Sequence, residues 1–301
     1  MIKLICGIEL ELEFNTELLG FLPIGSYHGH GLNDDGDDVN EESVAFGNRW
    51  IVEEDGSLEK TKFAEGRTAE FISLPFNANN YKVYLDSFKN TIYKTIAGRR
   101  GTISDVEKKY GMSDILCFND STGAHIHLTL LKGTKDEYAV YFREFSRIFK
   151  GKPVILRKAA TLDILKEISS TLHNEVRKNL PDIYPIWSKH FYRPRYAAEM
   201  KKLEYDNRYL EWNLSLSDDN RIEFRSFHLR GITTWEDFYK MFEILFKTLN
   251  NIFSKELKKE RAFEDTREFR QSEIEHSYTA NIDRSVEIEI EKDQSYDIIL
   301  D

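Results

Sequence analysis

Four short segments of this chain alternate polar with apolar residues, and their polar members are mostly acids, imidazoles and guanidinium groups. They are Gly7-Ile-Glu-Leu-Glu-Leu-Glu-Phe14, Thr68-Ala-Glu-Phe-Ile-Ser-Leu-Pro75, Ser121-Thr-Gly-Ala-His-Ile-His-Leu128 and Arg221-Ile-Glu-Phe-Arg225. Side chains along a β-strand point alternately to its two faces. Glu9, Glu11 and Glu13 therefore share one face, while Ile8, Leu10, Leu12 and Phe14 share the other. By the same rule His125 pairs with His127, and Glu223 with Arg221 and Arg225. Polar faces of this kind, lining one cavity, would supply ligands for divalent metal and donors for phosphate. The pattern points to an enzyme.

Each segment alone has a plainer explanation, a half-buried strand with a wet outer face. Glu is a poor strand former, however, and three carboxylates in register repel one another unless cations neutralise them. The argument for a site rests on the joint appearance of all four. Hard oxygen ligands favour magnesium or manganese, and manganese tolerates an imidazole among them. A zinc site would want more His or Cys at short spacing, and only His125 and His127 offer that. Arg225, on the same face as Glu223, carries a donor fork that fits phosphate oxygens. The sequence has no GxxxxGK[ST] loop, no kinase motifs and no G-x-G-x-x-G, so any ATP chemistry must use another scaffold.

The elements between these segments set the fold class. The first strand covers roughly 3–14, and an irregular stretch rich in Gly, Asn and Asp follows at 24–48. Its Asn33-Asp-Asp-Gly-Asp-Asp38 resembles part of a calcium loop but lacks the bidentate Glu at the twelfth position, and reads better as a mobile acidic surface loop. Arg49–Glu53 reads as a strand ending in the Asp55-Gly-Ser turn, with Thr68–Ser73 as its partner. Residues 80–97 have helical spacing (Tyr81, Leu85, Phe88, Ile92) and stop at Gly98; Ser104-Asp-Val-Glu107 is a capping-box pattern. Further helices are expected through Tyr138, Tyr141, Phe145 and Ile148, and over 158–180 through Leu162, Leu165, Ile168, Leu172 and Val176. The stretch 181–205, with three prolines, reads as irregular. Strands at about 208–216 and 221–228 lead into a helix opened by Thr233-Thr-Trp-Glu236. Sequential strands with inserted helices predict an α+β domain with a largely antiparallel, curved sheet and helices packed on one side. The expected division is a catalytic domain over 1–255, with 24–48 as an acidic insertion, and a charged extension over 256–301 that ends near Val286-Glu-Ile-Glu-Ile-Glu291.

With 301 residues the chain can bury a substantial core. Its formal net charge of −10 argues against broad nucleic-acid binding, which needs a basic face. Cys6 and Cys117 are too few for a disulfide framework. No apolar run approaches the about 20 residues needed to span a bilayer, and the amino terminus is not a signal peptide. The expectation is a cytoplasmic protein with no membrane partner.

Taken in order, these motifs resemble the amidoligase family of the carboxylate–amine ligase superfamily, which includes glutamine synthetase and gamma-glutamyl-cysteine ligase. The similarity runs from residue 5 to about 250. It is carried by Gly7-Ile-Glu-Leu-Glu, by Trp50 through Asp55-Gly-Ser-Leu58, by Ala69-Glu-Phe-Ile-Ser-Leu-Pro75 and by Gly123-Ala-His-Ile-His. Arg208-Tyr209, Asn213-Leu214 and Arg221-Ile-Glu-Phe-Arg225 complete it. The resemblance implies a glutamine-synthetase-like catalytic domain that uses ATP and Mg2+ (or Mn2+) to join a carboxylate to an amine through an acyl phosphate. It implies two metal positions, one with Glu11 and Glu70, the other with Glu9, His125 and Glu223. Arg225 and His127 would contact ATP phosphates or the acyl phosphate, and Arg208 and Asn213 nucleotide or substrate. Glutamine synthetase's amino-terminal β-grasp domain is missing, so the site is expected to be self-contained, with oligomeric state left open.

The basic stretch 189–208 (Lys189, His190, Arg193, Arg195, Lys201, Lys202, Arg208), preceded by Tyr184 and Trp187 and interleaved with Phe191, Tyr192 and Tyr196, reads either as solvated surface or as a positive wall for ATP or a carboxylate-rich substrate. The partners expected are small-molecule or peptide carboxylates and amines. Two other classes fit the same residues: a metal-dependent phosphohydrolase or nuclease, and a non-catalytic interaction protein that keeps the fold.

Overall fold

The computed structural model describes residues 2–25, 30–32, 38–40, 44–132, 162–190, 212–213, 222–225 and 227–255. Met1–Leu257 forms one compact unit. The expected helix through Tyr138–Ile148, most of the basic stretch, and the extension 256–301 lie outside the described residues.

The apolar face of the first strand sets the rest. β1 (Ile2–Asn15) is long enough to take partners on both edges. Its Ile8, Leu10, Leu12 and Phe14 are all fully buried. Burying four such side chains contributes on the order of 6–12 kcal/mol, before the entropy of ordering the chain is set against it. A slip of one residue would expose all four and bury the carboxylates, so the register is strongly held.

In the central sheet two short strands, β4 (Val44–Phe46) and β5 (Trp50–Glu53), precede β6 (Gly66–Ser73), and β6 pairs antiparallel with β1, placing Glu11 opposite Glu70. β5 pairs with β6 and β4 with β5. The short β7 (Phe76–Asn77) continues the β6 edge of β1, while β8 (Leu116–Cys117) pairs opposite Glu13–Phe14. On its other edge β1 meets β9 (Ala124–Lys132), with Glu9 opposite His125 and Gly7 opposite His127. β10 (Trp212–Asn213) and β11 (Ile222–Phe224) follow, with Glu223 opposite His127. The order is β10-β11-β9-β1-β6-β5-β4, an open antiparallel sheet.

The helices cover the apolar face. Phe88, on the Tyr81–Arg100 helix, meets Phe71, Phe46 and Trp50 of the sheet at ring-centroid distances of 5.4, 5.8 and 5.0 Å. Phe238, on the helix over 235–255, stacks on Phe88, and Phe246 of the same helix meets Phe76 at 5.6 Å. The Leu162–Asn179 helix buries Leu165, Ile168, Leu172 and Val176, the residues its periodicity selects. Trp212 Nε1 of β10 donates to Ser169 Oγ on it (3.2 Å). The mixed α+β architecture expected from the sequence is thus present.

Several local expectations change. The stretch 24–48 is not wholly irregular, because β2 (His30–Leu32) and β3 (Asp38–Asn40) pair as a small separate sheet and β4 joins the main one. Residues 181–205 contain a helix, Tyr184–His190, in which Pro185 occupies the first turn, where its missing N–H costs nothing. The long helix runs past Gly98 to Arg100 and ends at Gly101, whose φ of 128° suits glycine. Thr102, not Ser104, caps the next helix, Ile103–Lys109, by accepting from Asp105 N–H.

Candidate metal centre

On the face of the sheet away from these helices, the alternation places five of the expected ligands together. His125 lies at the middle. Its Nδ1 is 3.2 Å from Glu9 Oε2 and 3.3 Å from Glu223 Oε1, and its Nε2 is 3.7 Å from Glu11 Oε1. His127 Nε2 is 2.5 Å from Glu9 Oε1. Two sets of three ligand atoms, each set within 4.8 Å, emerge: Glu9, His125 and Glu223, and Glu11, Glu70 and His125. Three come from β1 and β6, and the others arrive from β9 and β11, so four strands are needed to assemble them. Arg225, just past β11, donates from Nη1 to Glu223 Oε1 (2.7 Å) and remains partly exposed.

Electrostatics divides these groups, with Glu70 and Glu11 disfavoured as anions and Glu9 and Glu223 held as anions beside the histidines. Burial raises the Glu70 carboxyl, and the adjacent Glu9 and Glu11 carboxylates raise it further, to about 10. Burial also pushes Glu11 up, with Asp55 and Glu9 adding to it against the pull of His125. For Glu9 burial acts upward too, but His127 and His125 outweigh it and hold the carboxyl well below its ordinary value. Glu223 is lowered in the same way, its burial outweighed by His127 and His125. Burial disfavours charge on His125, yet the Glu9 hydrogen bond with Glu11 and Glu223 raises its pKa. Four acids around one shared imidazole are a donor set of oxygen with some nitrogen, which fits manganese or magnesium.

Glu13 shares the face but not the centre. Its oxygens accept from the backbone N–H groups of Thr61 (2.9 Å), Lys62 (3.0 Å) and Phe63 (2.8 Å), and from Thr61 Oγ1 (3.2 Å). Burial would raise this carboxyl, but the Phe63, Thr61 and Lys62 N–H groups bring it below its ordinary value.

Asn213 stands opposite Glu223 in the β10–β11 register, whereas Arg208 lies outside the described residues. Two acids near the centre escape the alternation argument. Glu53 is buried and stands opposite Glu70, at the end of a strand read only as a partner. Asp55, read as part of a turn, does hold that turn, accepting from Ser57 N–H (2.8 Å) and Ser57 Oγ (2.6 Å). Its charge also bears on Glu11 and Glu70. Pairing 50–53 with 68–73 in register was the signal that could have found Glu53.

No protein-family model matches this chain, and a search of curated proteins finds no relative. No helix among the described residues is long and apolar enough to cross a membrane.

Proposed function

We propose that this chain is an ATP-dependent ligase that joins a carboxylate to an amine. The observation that carries the reading is the pair of three-ligand sets sharing His125, with Arg225 beside them. The open antiparallel sheet with helices on its apolar face agrees with a glutamine-synthetase-like catalytic domain. The order of the motifs along the chain supports the same family.

Glu9, His125 and Glu223 would hold one Mg2+ or Mn2+, and Glu11 with Glu70 the other. The chemistry such ions would supply there is neutralisation of phosphate oxygens and polarisation of the phosphorus. Glu223 orients Arg225 through one Nη, leaving its other donors for the γ-phosphate. His127, seated against Glu9, fixes the carboxylate that faces the ion. A substrate carboxylate oxygen attacks the γ-phosphorus, and the bond to the ADP oxygen breaks. The amine nitrogen then attacks the acyl carbon, inorganic phosphate departs, and the nitrogen loses a proton to give the amide. No protein nucleophile is required. ATP, one carboxylate and one amine, from small molecules or peptides, are the substrates.

The test is to incubate the protein with ATP, Mg2+ and a pool of amino acids and peptides, following phosphate release and new amide masses. The expected result is phosphate release that depends on an acceptor and a mass gain equal to condensation. Release that ignores every amine would instead favour a metal-dependent phosphohydrolase. Absence of ATP-analogue binding in calorimetry, with and without Mg2+, would remove the ligase. Glu11→Gln is expected to abolish ligation with no change in far-UV circular dichroism.

A further inference from the structure

Gly123 precedes the histidine strand, and its backbone carbonyl accepts the Glu11 N–H at 3.1 Å. A methyl group built at its Cα would lie 2.8 Å from Glu11 Oε2 and 3.2 Å from His125 Nε2. Those atoms belong to two ligands of the same set, Glu11–Glu70–His125. The backbone at Gly123 has no positive φ, so strain does not explain a glycine here. What the position requires is the empty volume that a Cβ would occupy. Gly7, also on this face, is different: a Cβ there would sit 3.7 Å from His127 Cβ, an ordinary contact.

We infer that Gly123 is a positioning residue for one of the two ions, keeping Glu11 Oε2 and His125 Nε2 at the separation that lets both face the Glu11–Glu70 position. The inference rests on the metal centre proposed above and assigns a role to a residue with no ligand atom of its own. Glu9 and Glu223 meet His125 through Nδ1, on the edge of the ring away from the added methyl group, so the closest contact, 2.8 Å to Glu11 Oε2, falls on the Glu11–Glu70–His125 set alone. A methyl at 2.8 Å from a carboxylate oxygen must displace it by several tenths of an ångström, and metal ligation tolerates only about 0.2 Å.

The experiment titrates Mn2+ into the full chain and counts bound ions by the loss of the free-ion electron paramagnetic resonance signal. Wild type is expected to hold two ions. Gly123→Ala should keep one at wild-type affinity and bind the second at least tenfold more weakly, while Gly7→Ala keeps both. Retention of the first ion at wild-type affinity beside a weakened second is an outcome that a general folding defect would not give. Two unaltered ions in Gly123→Ala would overturn the inference and leave the metal centre standing. Equal weakening of both ions would also overturn it. Wild type that takes up no Mn2+ would remove the centre and this role together.

Discussion

Two ends of one strand face carry the same residue in opposite circumstances. At the end of β1, Glu13 is surrounded by N–H donors from Thr61, Lys62 and Phe63 and is satisfied as an anion within the protein. Two and four residues earlier, Glu11 and Glu9 look at other acids and a shared imidazole. Donors around a carboxylate make it part of the scaffold. Acceptors around a carboxylate leave a charge that only a cation or a proton can balance. The alternation that put all three on one face cannot distinguish them, because the distinction lies in what the opposing loops and strands supply.

Substitutions can break this contrast. The largest effect is expected from Glu9→Gln, since Glu9 meets both histidines: Mn2+ affinity should fall by at least about 100-fold, the upper range seen even for outer partners of a ligand. Titration of the variant checks it, and undiminished binding would place the ions elsewhere. Glu13→Gln should do the reverse, keeping the ion count while costing about 2–3 kcal/mol in urea unfolding at pH 7, the scale of hydrogen bonds to a charged group. Because the folded-state pKa of Glu13 is lowered, its contribution is present above the ordinary carboxylate range and disappears as pH drops through the folded value. The two proteins should therefore converge in stability as pH drops through that lowered value.

Glu70→Gln gives the most diagnostic change. Folding raises the Glu70 pKa to about 10, so the folded protein holds a proton that the unfolded chain releases. Wild-type stability without metal should therefore decline as pH climbs from about 4.3 towards that value, and the variant should be spared this loss. In chelator, Glu70→Gln is expected to melt above wild type at pH 8 and equally at pH 4; with Mn2+ the order should reverse. A variant less stable in chelator at pH 8 would show Glu70 to be scaffold, like Glu13.

How much of this was legible beforehand follows the physics of period. The period of two placed Glu9, Glu11, Glu70, His125, His127 and Glu223 on faces, and hydrogen-bonded register then joined those faces into one. Helical spacing likewise found the buried stripe of the Leu162–Asn179 helix. Glu53 and Asp55 were missed because nothing about them repeats; their nearness to Glu70 and Glu11 is a product of pairing and of a turn. The helix around Pro185 was missed because proline count was weighed above proline position. Glu13 looked no different from Glu9, since its partners come from a loop about 50 residues away.

The partners of Glu9 are separated from it by long stretches of polypeptide, 116 residues in the case of His125 and more for Glu223. The entropy of closing such long loops opposes these contacts until the rest of the sheet supports them. A divalent ion would then find its full ligand set only on a chain already threaded through Phe224. By mass action it would act as a clasp on the finished fold, adding about 2.7 kcal/mol at a free concentration 100 times its dissociation constant.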